Sequence, residues 1–167
     1  GPGTSYVAVP FYNSGTVNVE SGVLQFSNSF AQNAGATWLS GGSLTKSGAL
    51  VFNGGTLGGK GTITGTVSNI GGTVLPGSSP GILRIAGDYT QGPTGTLNIE
   101  LGGDVSGTQY DLLDVTGAAS LSGTLNVSLI NGFTPVTGTV FQVINYGSYS
   151  GGFSAFNGLS QGGGLVL

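Results

Sequence analysis

Short runs of strictly alternating polar and apolar residues recur along the chain, each opened by a glycine–threonine step. Gly15-Thr16-Val17-Asn18-Val19, Gly95-Thr96-Leu97-Asn98-Ile99 and Gly123-Thr124-Leu125-Asn126-Val127 are the fullest copies, and Gly61-Thr62-Ile63 and Gly138-Thr139-Val140 are shorter echoes. Alternation of period two marks a strand with one buried face. In the first copy Val17 and Val19 are predicted to face inward, and Thr16, Asn18 and Glu20 outward. Ser21-Gly22 breaks the phase, after which Leu24 and Phe26 resume an inward face. Further strands are predicted within residues 49–52, 61–67, 82–86, 96–101, 112–115, 120–129 and 139–144. Gly-Gly pairs at 41-42, 54-55, 58-59, 71-72, 102-103 and 151-152 supply corners, because glycine accepts the positive φ angles of tight turns.

Many short strands with no helical pattern between them predict an all-β solenoid: a parallel β-helix of about six or seven coils, roughly 20–28 residues each. At a strand spacing of about 4.8 Å such a stack is roughly 30 Å long. Inward Leu, Val, Ile and Phe would form ladders, with Thr, Ser and Asn outside. A β-sandwich is the competing architecture, but the hairpin dipeptides it would use are few: Asn53-Gly54, Asn131-Gly132 and Asn157-Gly158.

Composition sharpens this picture. Of 167 residues, 35 are glycine, roughly three times the usual share, while only 5% are charged. The 38% hydrophobic content and the small net charge of −3 place the chain outside the disordered class. With no cysteine, disulfides and thiolate metal sites are excluded, which suits a protein that crosses membranes unfolded. Lys46, Lys60 and Arg84 are the only basic residues, so no nucleic-acid partner is expected. No apolar run approaches the roughly 20 residues of a membrane-spanning helix, so this fragment is not expected to span a membrane. Gly1-Pro2 reads as the remnant of a cleaved tag. Residues 1–3 are therefore set apart from one domain, 4–167, and a further strand is expected to begin in Gly162-Gly163-Gly164-Leu165-Val166-Leu167. The natural protein is expected to be longer.

Three phrases carry a resemblance. The stretch from Asn53-Gly54-Gly55-Thr56-Leu57-Gly58-Gly59-Lys60-Gly61 to Thr62-Ile63-Thr64-Gly65 resembles bacterial autotransporter passenger domains and related large surface proteins. So does Pro76-Gly77-Ser78-Ser79-Pro80-Gly81-Ile82-Leu83 followed by Gly87-Asp88-Tyr89-Thr90-Gln91. Tyr110-Asp111-Leu112-Leu113-Asp114-Val115-Thr116-Gly117, leading into Leu121-Ser122-Gly123-Thr124-Leu125-Asn126-Val127, is similar to the C-terminal part of such a passenger stalk. The resemblance covers roughly residues 50–155. It implies a right-handed parallel β-helix, exported and displayed on a bacterial surface, that serves adhesion, biofilm or display. It implies no activity, since one β-helix hosts many functions.

Candidate chemistry is sparse. Asp104, Asp111 and Asp114, with Glu100 nearby, are the candidate Ca²⁺ ligands, but they lack the alternate-residue spacing of a compact calcium loop. A solvated loop is the favoured reading, and no cofactor or metal is expected. Catalysis on polysaccharide needs paired carboxylates, or a base beside a charge-neutralising group. Glu20, Asp88 and Glu100 are scattered, histidine is absent, and Arg84 is read as a surface partner of Asp88. The chain is therefore expected not to be an enzyme, the alternative being a carbohydrate-active β-helix that binds or cleaves a polysaccharide. Gly58-Gly59-Lys60-Gly61-Thr62 lacks the Walker spacing and reads as corner glycines. The irregular Thr spacing around Thr62-Ile63-Thr64-Gly65-Thr66 argues against an ice-matching ladder.

Aromatic residues are the last candidates. Phe133, Phe141, Tyr146, Tyr149, Phe153 and Phe156 crowd the C-terminal end, residues 133–156, and are read as a cap in preference to a binding patch. Trp38, Tyr6, Phe11 and Tyr12 are expected to close the N-terminal end. The partners foreseen are host or cell-surface glycans or proteins, or other copies of the chain through the helix ends.

Overall fold

The structure of the chain, a computed structural model, describes residues 3–158. The expected tag remnant Gly1-Pro2 and the strand expected within Gly162 to Leu167 lie outside the described residues. The first strands are β1 (Thr4–Val7), β2 (Phe11–Asn13), β3 (Thr16–Val19), β4 (Val23–Phe26) and β5 (Phe30–Gln32). Two long ones follow, β6 (Ala36–Phe52) and β7 (Thr56–Asn69). Next come β8 (Thr73–Pro76), β9 (Ile82–Ala86), β10 (Tyr89–Gln91), β11 (Thr96–Leu101) and β12 (Leu112–Val115). The last are β13 (Ala118–Leu121), β14 (Thr124–Leu129), β15 (Ile144–Asn145), β16 (Ser148–Gly151) and β17 (Ala155–Asn157).

All seventeen belong to one open sheet, and every pairing between them is parallel. No helix occurs among the described residues. The expected all-β class is therefore observed, in a form consistent with a β-solenoid. Pairings skip along the chain, β1 to β4, β2 to β5, β11 to β14 and β14 to β17, so the strands fall into three columns. The long strands β6 and β7 take part in all three columns, with register shifts between Ser40 and Ser43 and between Thr45 and Ala49.

The three full copies of the glycine–threonine phrase share one structural position, unlike the echoes at Gly61-Thr62 and Gly138-Thr139. Thr16, Ala36, Thr56, Thr73, Thr96, Thr124 and Ala155 are successive partners at the head of a single column. The steps, Thr16 to Ala36, Ala36 to Thr56, Thr56 to Thr73, Thr73 to Thr96, Thr96 to Thr124 and Thr124 to Ala155, are 20, 20, 17, 23, 28 and 31 residues. This is a wider spread than the 20–28 expected, because loops at the corners absorb the difference. In the third copy the opening glycine is required at the corner: Gly123 has φ +68°, and a Cβ there would fall 2.3 Å from the Gly95 carbonyl oxygen one rung below.

Inward residues of the three columns share one core. Leu44, Ile63 and Ile85 stack in the first column, Leu50, Val67 and Tyr89 in the second, and Leu57, Val74 and Leu97 in the third, all at most 1% exposed. The alternation predicted for residues 16–19, 82–86 and 96–101 holds, with Val19, Leu83, Ile85, Leu97 and Ile99 buried.

Two predicted strands differ. Residues 120–129 are not one strand but β13 and β14, bent at Gly123. Of residues 139–144 only Ile144 is in a strand. Asn131 and Gly132 turn the chain with positive φ, and the Thr139 N–H donates to the Val136 carbonyl, so Gly138-Thr139 closes a turn instead of opening a strand.

Candidate functional site

The second column carries polar residues where the sequence pattern foresees only apolar ones. Asn13, Gln32, Asn69 and Gln91 lie at its inner edge and are at most 5% exposed. The Asn13 amide donates to Gln32 Oε1 at 2.9 Å and to the Ala36 carbonyl at 3.0 Å. Gln32 donates to the Gly54 and Thr56 carbonyls, and its oxygen accepts from the Thr37 hydroxyl at 2.8 Å. Gln91 donates to the Gly95, Ser122 and Thr124 carbonyls, and its oxygen accepts from the Tyr89 hydroxyl at 2.7 Å. Burial pushes the Tyr89 hydroxyl well above its ordinary range, so it stays a donor. These amides satisfy corner carbonyls of their own and the following rungs, which a dry core would otherwise leave unpaired. Asn69, in the same column, finds no hydrogen-bond partner for either amide atom. The signal that could have located the set is an Asn or Gln just before a glycine-bearing corner, as in Asn13-Ser14-Gly15 and Gln91-Gly92.

The acidic residues singled out by sequence are dispersed. Asp104 is exposed in the loop after β11, its N–H donating to Gln109 Oε1. Asp114 pairs with Arg84 at 2.5 Å across the β9–β12 ladder. The expected Arg84–Asp88 pair is therefore replaced: cross-rung register sets Asp114 against Arg84, while Asp88 Oδ1 accepts the Ala118 N–H. Among the described residues no group of three or more His, Cys, Asp or Glu is placed to hold a metal ion. Residues 58–62, weighed as a phosphate loop, run inside the continuous strand β7.

Asp111 is different. It is 1% exposed, and its two oxygens accept the Gly81 N–H and the Glu100 N–H, each at 2.9 Å. Burial pushes its carboxyl up to about 6; the two backbone donors work against that shift, and the Glu100 charge adds to it. It thereby ties the turn 77–81 to the end of β11. Beside it lies a cavity of about 240 Å³ lined by Trp38, Leu75, Pro76, Ser79, Glu100 and Asp111 among others. The Ser79 hydroxyl donates to Glu100 Oε2 at 2.6 Å. Trp38 is not at the N-terminal end as expected. Its register partner is Gly58, and its ring lies across that glycine, where a Cβ would fall 1.5 Å from the indole.

The other aromatic expectations divide. Phe11 packs on Phe26 and Phe30, whereas Tyr6 and Tyr12 are exposed and do not close the end, because they occupy the outward positions of β1 and β2. At the other end Phe141 is buried edge-on against Tyr110 and Phe133. Tyr146 packs at a tilt against Tyr149 and Phe153 edge-on against Phe156, and these pairs border a cavity of about 540 Å³ over the last rungs. Tyr146, Tyr149 and Phe156 remain substantially exposed.

No family model matches the chain, and no curated protein or solved structure matches it either. No helix among the described residues is long and apolar enough to cross a membrane.

Proposed function

We propose that the chain is a segment of a right-handed parallel β-helix of six or seven coils. In this reading it is the non-catalytic stalk of a secreted or surface-displayed bacterial protein of the autotransporter-passenger kind, supporting adhesion, biofilm or display. The observation that carries the reading is the continuity of the three parallel columns from β1–β3 to β15–β17 around one apolar stack. Such a stack passes load along its length through backbone ladders, and each rung leans only on its neighbours.

Its outer coat supports the same reading. Asn157 donates to Asn126 and Asn126 to Asn98 in an external amide ladder, and Ser120 meets Ser150. These contacts tie adjacent rungs without presenting reactive groups. A polysaccharide-cleaving site needs two carboxylates free to act on a bound sugar. Glu100 and Asp111 line one cavity, and both oxygens of Asp111 are engaged by backbone N–H groups.

Excising one rung, residues 16–35, from the natural protein tests the stalk. Surface display of an N-terminal epitope should persist, with the epitope standing closer to the cell. Release of reducing ends from plant or bacterial polysaccharides by the purified chain, abolished in Glu100→Gln, would overturn the non-catalytic assignment.

A further inference from the structure

The cavity beside the 77–81 turn joins an aromatic surface to two acids, with no cation to balance them. Asp111 is fully withdrawn from solvent and Glu100 sits half-buried at the same wall. Lys60 follows Gly59, which bridges Gly77 of the turn. Lys60 is exposed, does not line the cavity, and forms no ion pair among the described residues. Arg84 is committed to Asp114, and Lys46 donates to the Ser47 carbonyl. Asp111 accepts two backbone N–H bonds and Glu100 Oε2 accepts one from Ser79, which leaves carboxylate lone pairs unfilled.

Such a site favours a particular ligand. An indole face attracts cations through its quadrupole, and more strongly where water is partly excluded. Two carboxylates in the same low-dielectric recess add Coulomb attraction. Leu75 and Pro76 supply an apolar floor for methyl or methylene groups. A neutral sugar ring would stack on the indole but would leave the acidic charge uncompensated.

We propose that this cavity binds the head of a small organic cation of the alkylammonium class, with Trp38 as the platform and Glu100 and Asp111 as counter-charges. Glu100 is the selective residue, because its carboxylate is the accessible one. Asp111 sets the field and holds the turn that forms one wall.

Trp38 is the only tryptophan in the chain, so its fluorescence reports on this site alone. Choline chloride should give a saturable change in Trp38 emission at millimolar concentrations, relative to sodium chloride at equal ionic strength. The neutral isostere 3,3-dimethylbutan-1-ol should give none. Glu100→Gln should weaken choline at least about fivefold while leaving the thermal midpoint of unfolding close to that of the parent. Comparing choline with n-butylammonium separates a headgroup-like from a lysine-like source, and tighter binding of either supports the proposal. Absence of saturation with both cations overturns it, as does an equal response to the neutral alcohol. If Glu100→Gln fails to fold, the parent still decides: the choline response must shrink as sodium chloride is raised, and indifference to salt would sink the idea.

Discussion

Asp111 shows how one side chain can hold a corner and set a pH dependence. Its carboxyl has an ordinary value of 3.8 and is pushed up to about 6 by burial in the fold. The folded chain therefore binds this proton more tightly than the unfolded chain does. The stability contributed is fully present below the unfolded value and is lost as pH rises through about 6. Urea unfolding should show this component of stability falling between about pH 3.5 and about pH 7 in the parent. Asp111→Asn should flatten that slope and lower stability at both values, because an amide cannot accept both the Gly81 and Glu100 N–H bonds. A slope unchanged in the variant would remove Asp111 as its source. A buried amide is tested in the same way. Gln91→Leu strips the Gly95, Ser122 and Thr124 carbonyls of a donor and the Tyr89 hydroxyl of its acceptor, and should cost about 1–3 kcal/mol. A urea midpoint equal to that of the parent would show that water replaces the amide.

At the scale of the strand, alternation was legible wherever one face is apolar, and illegible where function or corners intervene. The phrase at Gly95 and Gly123 reads correctly as β11 and β14, since Leu97, Ile99, Leu125 and Val127 face the core in register. The buried amides escaped notice because Gln and Asn read as outward residues; their burial depends on carbonyls from other rungs, a relation across 19 or more positions. Trp38 escaped for a similar reason: its seat exists only because its partner in the next rung is Gly58. That pairing is testable by a double-mutant cycle. Gly58→Ala should destabilise by about 1–3 kcal/mol through overpacking against the indole. Trp38→Ala should relieve most of that cost, giving a coupling of comparable size and opposite sign. Additive single effects would mean that the ring does not rest on Gly58. Leu125→Asp, by contrast, buries a charge without a partner and should cost several kcal/mol. Asn126→Ser breaks only the exterior amide ladder and should cost less than about 1 kcal/mol, as thermal unfolding would show.

For the whole molecule, stability follows from position along the stack. A central rung is paired on both sides, as β7 is by β6 below and by β8, β9 and β10 above. The end rungs are paired on one side: among the described residues β1 pairs only with β4, and β17 only with β14. Burial follows the same gradient, with every residue of β16 and β17 exposed while Leu50, Ile63, Val67 and Leu83 are wholly buried. Solenoid energetics are close to a sum of nearest-neighbour terms, so opening should begin at the ends and move inward. Hydrogen exchange should therefore be fastest in β1, β16 and β17, slower in β11 and β14, and slowest in β6, β7 and β9. The amide bonds that Gln32 and Gln91 make across rungs should deepen that central protection, so Gln91→Leu should speed exchange in β10, β11 and β14 before it does so in β4 or β5. Uniform protection from β1 to β17, collapsing in one step in Gln91→Leu, would mean that the stack opens as a single unit and that the corner amides stabilise it globally.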